Sequence, residues 1–135
     1  MESLKEAEEV FSMLDPTEKM EALIDYAKEL PHLPEELKTK ENEVPGCISL
    51  TYLAVKVEKG KVYFKGYSDA LIVKGFLALL INEFDSMEKE DFLRTSEEKV
   101  EDFLKKTELR KSVTPSRANV IGEVLHLMIR RVKQC

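Results

Sequence analysis

The sequence predicts an α+β fold in which a small antiparallel sheet of three strands packs against several helices. Two observations lead to this prediction. Apolar residues recur at helical spacing near both ends of the chain, and a run rich in β-branched and aromatic residues lies between them. With 135 residues, the chain is long enough to bury a core without disulfides or metal, and we expect one domain over residues 1–135.

The N-terminal part predicts two helices. Asp15 and Pro16 mark the boundary between them, because Asp15 can cap the second helix and Glu18 has capping-box spacing. Pro31 and Pro34 end the second helix by removing backbone donors. The apolar stripes of the two helices consist of Leu4, Ala7, Val10, Phe11, Leu14, Met20, Leu23, Ile24 and Ala27.

The middle of the chain predicts a sheet. Two antiparallel strands are expected over Ile48–Val57 and Lys61–Lys65, separated by a turn at Lys59-Gly60. A third short strand is expected around Asn42–Pro45, where the donor missing from the proline is tolerated at the end of a strand.

The strongly apolar segment Ala70–Phe84 predicts a central helix, capped by Ser68 and Asp69. Two short amphipathic helices are expected over Met87–Leu93 and Ser96–Leu104.

The last helix is expected to open at Thr114 and Pro115. Its inward face is predicted to carry Ile121, Val124, Leu125, Met128, Ile129 and Val132.

Composition and charge exclude several classes of function. A net charge of −5 and a pI near 5.2 argue against nucleic acid as the main partner. No apolar run reaches the length of a membrane span, so we expect no membrane partner. The N-terminus lacks the features of a secretory signal, and we expect a cytoplasmic protein. Of the two cysteines, Cys47 and Cys135, a reducing compartment would leave both as free thiols.

Cys47 is the candidate reactive residue. It follows Pro45 and Gly46, which bend the backbone where helices give way to the hairpin, and a thiol at such a corner is easily presented. A small buried apolar cysteine fits the same spacing, so the residues alone leave both readings open. His32 and His126 occur singly, without metal-ligand spacing, and no metal site is expected.

Four ordered segments resemble the SufE family of sulfur acceptors. They cover most of the chain: a loop after the second helix (residues 30–37), Val44–Ser49, Ser68–Gly75 and Thr114–Asn119. The resemblance implies a carrier protein, not an enzyme, that receives persulfide sulfur from a SufS-type cysteine desulfurase. The sulfur would then pass to a Suf-type scaffold for iron–sulfur cluster assembly. It also implies that Cys47 is the acceptor and holds a transient persulfide, with no resident cofactor.

Six further residues are candidates for supporting the acceptor or binding the partner: Gly46, Ser49, Asp69, Lys74, Arg117 and Asn119. Arg117 either supplies positive charge to the thiolate or pairs with Asp69 to hold two helices together. Asp69 can instead cap its helix, Lys74 can be solvated surface, and Asn119 can bond nearby backbone.

Two other functions remain compatible with the residues. A thiol-dependent peroxidase or reductase would use Cys47 to attack and Cys135 to resolve. A plain interaction module would use Cys47 only for packing. A monomer or a weak homodimer is expected in each case.

Overall fold

A computed structural model describes residues 3–46 and 49–135. Its elements, in chain order, are α1 (Leu4–Ser12), α2 (Pro16–Glu29), two 3-10 turns (Glu35–Leu37 and Lys40–Asn42), β1 (Thr51–Glu58), β2 (Lys61–Ser68), α3 (Leu71–Phe84), α4 (Lys89–Thr107), α5 (Leu109–Ser112), α6 (Pro115–Ala118) and α7 (Val120–Gln134). The architecture is α+β, as predicted.

The first two helices begin with reciprocal caps. In α2 the carboxylate of Asp15 accepts from the backbone N–H of Glu18 at 2.8 Å, and the Glu18 side chain accepts from the N–H of Asp15 at 2.9 Å. Ser3 and Glu6 form the same capping box in α1. These pairs satisfy backbone donors that a helix N-terminus otherwise leaves open, and the predicted boundary at Asp15 is confirmed.

The sheet has two strands in the described part of the chain, so the predicted third strand is wrong. β1 and β2 pair antiparallel, with Thr51 opposite Ser68 and Glu58 opposite Lys61. Next to β1, the segment before Pro45 makes only an isolated bridge between Glu43 and Tyr52. A longer ladder is prevented because Lys40–Asn42 is a 3-10 turn and Pro45 has no N–H to donate.

Helix α3 is the centre of the core. Most of its residues are buried, and it packs against α2 and β2. At Gly75 a Cβ atom would overlap the backbone carbonyl oxygen of Leu23. The missing side chain is therefore what allows α2 and α3 to approach so closely. The predicted cap by Ser68 and Asp69 is wrong in detail, because the cap residue is Ala70 and the helix begins at Leu71.

The C-terminal helices differ from the prediction in two places. One continuous helix, α4, replaces the two short helices expected over Met87–Leu93 and Ser96–Leu104. The segment from Pro115 is divided into α6 and α7, with Asn119 between them. All six residues predicted for the inward face of the last helix are buried.

None of the helices in the described part of the chain combines the length and the apolar character needed to cross a lipid bilayer.

Candidate functional site

The candidate site is centred on the Cys47 loop, defined as residues 45–50. Cys47 and Ile48 themselves lie outside the described residues, so the placement of the thiol remains a prediction. Pro45, Gly46 and Leu50 are exposed, and Ser49 is half-buried. The flanks of the cysteine therefore lie at the protein surface.

The base of the Cys47 loop is closed by backbone contacts. The N–H of Val44 donates to the carbonyl of Thr51 at 2.9 Å, beside the bridge between Glu43 and Tyr52. Inside the loop, Gly46 has φ +76°, and a Cβ built on it would meet no atom within 4 Å. Space for a side chain is present, so glycine is required there only because the backbone adopts the left-handed conformation.

Hydroxyl groups connect the loop to the end of β2. The Thr51 hydroxyl donates to the carbonyl of Ser49 at 3.2 Å and lies 2.9 Å from the Ser68 hydroxyl. The Ser68 oxygen accepts from the N–H of Ala70 at 3.2 Å. These donors and acceptors are compatible if Ser68 donates its proton to Thr51. The start of β1 is thereby joined to the residues that precede α3.

Asp69 contributes to the site through both its backbone and its side chain. Its N–H donates to the carbonyl of Leu50 at 3.0 Å, which fixes the C-terminal end of the Cys47 loop. Its carboxylate accepts a 2.6 Å hydrogen bond from the hydroxyl of Tyr67. This hydrogen bond, together with desolvation, raises the pKa of Tyr67 above its ordinary value.

Two lysines lie over the ring of Tyr67. The Nζ atom of Lys38 is 4.8 Å from the ring centroid, and that of Lys74 is 5.5 Å from it. Ammonium groups are attracted to the negative face of an aromatic ring. Lys38 also donates to Glu35 at 3.0 Å, and this bond raises the pKa of Lys38. Tyr67 thus contacts Lys74 of α3 through its ring and Asp69 through its hydroxyl.

Arg117 and Asn119 are exposed on and after α6. Over residues 3–46 and 49–135, no ion pair joins Arg117 to Asp69, so the structural pairing considered for them is not formed. The backbone carbonyl of Asn119 accepts from the N–H of Glu123 at 3.1 Å. The described contacts therefore bring Ser49 and Asp69 together at the loop and link Lys74 to Asp69 only through Tyr67, but they do not bring Arg117 or Asn119 to it.

Sequence reasoning missed three residues of this region: Lys38, Tyr67 and Arg131. Tyr67 could have been identified from the sequence because it directly precedes the Ser68-Asp69 motif. Arg131 donates to backbone carbonyls on both sides of the loop. The sequence feature that could have indicated Arg131 is its position between the apolar residues Met128 and Val132 of the last helix. No pattern in the sequence marks Lys38.

A groove of about 670 Å³ is lined by both strands of the hairpin, by the segment that follows α2 and by the C-terminal end of α3. Its lining includes Leu37, Ala54, Tyr63 and Lys65, and none of the described candidate residues. Nor does the described part of the chain contain a group of three or more His, Cys, Asp or Glu side chains arranged to hold a metal ion.

The family model described as "SufE: Fe-S metabolism associated domain" matches residues 5–132. The chain belongs to the SufE family. An uncharacterised SufE-like protein of Synechocystis is 39% identical over 114 residues, which cover 84% of this chain and 69% of that protein. The sulfur acceptor protein CsdE of Escherichia coli is 43% identical over 65 residues, covering 47% of this SufE-family chain and 44% of CsdE.

Several of the other matched relatives are much longer, and the match spans less than a third of their length. Among solved structures, that of a hypothetical protein from Thermus thermophilus is similar, with a TM-score of 0.74 and 24% sequence identity. The similarity covers 97% of this chain and 93% of the other. At this level of identity, the likeness establishes that the SufE-family chain shares that fold.

Proposed function

We propose that this chain accepts sulfur on Cys47 from a SufS-type cysteine desulfurase and passes it to a Suf-type scaffold for iron–sulfur cluster assembly. The structural observation that carries the proposal is the Cys47 loop, whose base is closed by backbone contacts and whose described flanks are exposed. Membership of the SufE family, and the name of CsdE as a sulfur acceptor, support the same function.

The transfer balances without an added oxidant or reductant. The Cys47 thiolate attacks the outer sulfur of a cysteine persulfide on the desulfurase. A sulfur–sulfur bond forms on Cys47 while the sulfur–sulfur bond of the donor breaks. The thiolate of the desulfurase cysteine leaves, and the transferred sulfur keeps its proton or releases it to water. A second attack of this kind, by a thiol of the scaffold, would return Cys47 to its free form.

The neighbouring residues have different proposed roles. Gly46 and Ser49 shape the Cys47 loop, and Asp69 anchors its C-terminal end. An unperturbed cysteine of pKa about 8.5 is only a few per cent thiolate at pH 7, so positive charge would favour the attack. Lys74 and Arg117 are the proposed cations, acting on the thiolate or on the partner. Asn119 is proposed to support this arrangement from the start of α7.

In this proposal the protein is a carrier and activator of the desulfurase, not an enzyme. It removes sulfur from the desulfurase and so allows the next turnover. It needs no resident cofactor, because the sulfur is held covalently on Cys47. It would act in the cytoplasm as a monomer or a weak homodimer.

Mass spectrometry tests the proposal directly. The protein is mixed with a SufS-type desulfurase and free cysteine, and its peptides are examined for one added sulfur atom. We expect this sulfur on the peptide that contains Cys47. Cys135→Ser should carry it equally, since that exposed residue lies at the end of α7 and has no role in the proposed transfer.

Two results would contradict the proposal: sulfur added to a Cys47→Ala variant, or a wild-type protein that gains none. Consumption of peroxide that depends on both cysteines would instead support the thiol enzyme considered above.

A further inference from the structure

Arg131 is a half-buried cation on α7, away from the residues singled out by the sequence. It lies between Met128 and Val132, both of which are fully buried, so the helix directs it toward the protein body. Burial disfavours its charged form and lowers the pKa of the guanidinium from its ordinary value. A charge held in such a place requires hydrogen-bond acceptors around it.

The acceptors are three backbone carbonyls. Nη2 of Arg131 donates to Glu43 at 3.1 Å and to Glu41 at 3.2 Å, and Nη1 donates to Leu53. Glu41 and Glu43 precede the Cys47 loop, whereas Leu53 follows it on β1. One planar guanidinium therefore joins the two stems of the loop, which are the chain segments just before and just after it. These contacts lie farther from the cysteine along the chain than the hydrogen bond from Val44 to Thr51 that closes the base of the loop.

The chemistry of this contact requires arginine. Guanidinium offers five N–H donors in a fixed plane, which allows it to serve several carbonyls at once. The ammonium group of a lysine is a point charge and cannot reproduce this planar arrangement of donors. The stems need such an external tie because the bridge between Glu43 and Tyr52 is isolated and no continuous strand forms there.

We infer that Arg131 is a positioning residue for the Cys47 loop, fixing the separation of its two stems so that the thiol is presented from a rigid base. The inference rests on the proposed function, because it assigns Arg131 a part in sulfur transfer. Arg131 acts from α7 through backbone atoms of residues 41, 43 and 53. Its effect is therefore on the rate of transfer and not on the affinity for the desulfurase.

The test compares Arg131→Gln with Arg130→Gln. The control removes the same side chain at the neighbouring position, which is exposed. Hydrogen exchange is measured at the amide of Val44, which closes the loop base, and at the amide of Leu80 in α3 as a core reference. For Arg131→Gln we expect exchange at Val44 to become about tenfold faster, with Leu80 changed by less than about twofold.

Sulfur transfer is then measured against the concentration of desulfurase. For Arg131→Gln the maximal rate should fall about tenfold, while the half-saturating concentration stays within about twofold of wild type. Arg131→Lys keeps the positive charge but loses the planar arrangement of donors, and it should recover only part of the rate. It also provides the comparison if Arg131→Gln does not fold. Arg130→Gln should match wild type in both measurements.

Unchanged exchange at Val44 would overturn the inference, as would equal acceleration at Val44 and Leu80, which would indicate a loss of global stability. An unchanged maximal rate despite faster exchange would overturn the assigned part in transfer. Failure of the proposed function is a separate result: wild-type protein would then gain no sulfur, while the exchange measurements would still report whether Arg131 holds the stems.

Discussion

The hydroxyl of Tyr67 donates a 2.6 Å hydrogen bond to the carboxylate of Asp69, and this bond raises the pKa of Tyr67. Asp69→Ala removes the acceptor, so the pKa of Tyr67 should move down toward its ordinary value. Ultraviolet titration of the variant, with Tyr67→Phe to assign the signal, measures the shift. Glu36→Ala, at an exposed residue, is the control, and an equal shift in it would contradict the assignment.

The same hydrogen bond predicts how stability depends on pH. Because the folded pKa of Tyr67 is raised, its contribution is fully present below the unfolded value of about 10 and is lost as the pH rises through the folded value. The effect should be small, since the ring is accessible to water. Unfolding by urea across this alkaline range should show a steeper loss in wild type than in Tyr67→Phe. Identical slopes would be evidence against the contribution.

Gly46→Ala should destabilise the protein by about 1 kcal/mol, because φ +76° is unfavourable for any residue with a Cβ atom. Gly122→Ala is the matched control. Gly122 lies within α7, where an added Cβ would meet nothing within 4 Å. Alanine there should stabilise by about 0.5 kcal/mol through helix propensity. Urea unfolding measures both changes, and effects of the same sign would refute the backbone argument.

Lys19→Met should lower the free energy of unfolding by about 2 kcal/mol. The buried ammonium of Lys19 donates a 2.6 Å hydrogen bond to the carbonyl of Thr107, the last residue of α4. Methionine fills a similar volume but leaves that carbonyl without its charged donor. Lys28→Met, at an exposed position of α2, should change stability by less than about 0.5 kcal/mol. Equal losses in the two variants would show that the contact contributes little.

Ser96→Ala should stabilise the protein by about 1 kcal/mol. The Ser96 hydroxyl is fully buried in α4 and has no hydrogen-bond partner among the described residues. Alanine removes the desolvation penalty of that oxygen and favours the helix. Glu97→Ala, at an exposed position, measures the gain in helix propensity alone. Thermal unfolding should show the larger rise for Ser96→Ala, and a smaller rise than in the control would mean that the hydroxyl has a partner.

Local signals in the sequence were enough to predict several features of the fold. The capping pair of Asp15 and Glu18 acts within one turn, and the apolar stripe of α7 needs only helical spacing. The turn at Lys59 and Gly60 was also predictable, and both residues have positive φ. In each case the residues that determine the structure are neighbours in the chain.

Other features depend on contacts that local patterns do not contain. Two short helices were expected over Met87–Leu93 and Ser96–Leu104, yet Phe92, Ser96 and Val100 lie buried along one face of α4, so packing keeps the helix continuous. The prediction of a third strand was wrong because backbone pairing beyond Glu43 depends on the conformation of the residues next to it in the chain.

The candidate site was likewise only partly accessible from the sequence. Asp69 was among the candidates for supporting the acceptor, but its backbone contact with Leu50 of the loop became visible only in the structure. The contacts of Arg131 join residues 88 and 78 positions apart, and no local pattern predicts such contacts.

The closed base of the Cys47 loop has a consequence for how the loop can vary in length. Residues inserted between Pro45 and Leu50 would lengthen only the loop, because the hydrogen bond from Val44 to Thr51 closes its base and pairing with β2 sets the register of β1. The entropy of closing a longer loop grows slowly, by about 0.6 kcal/mol for each doubling of length. The reach of the tip toward a deep or a shallow partner cleft can therefore be altered while the helices and the hairpin keep their packing.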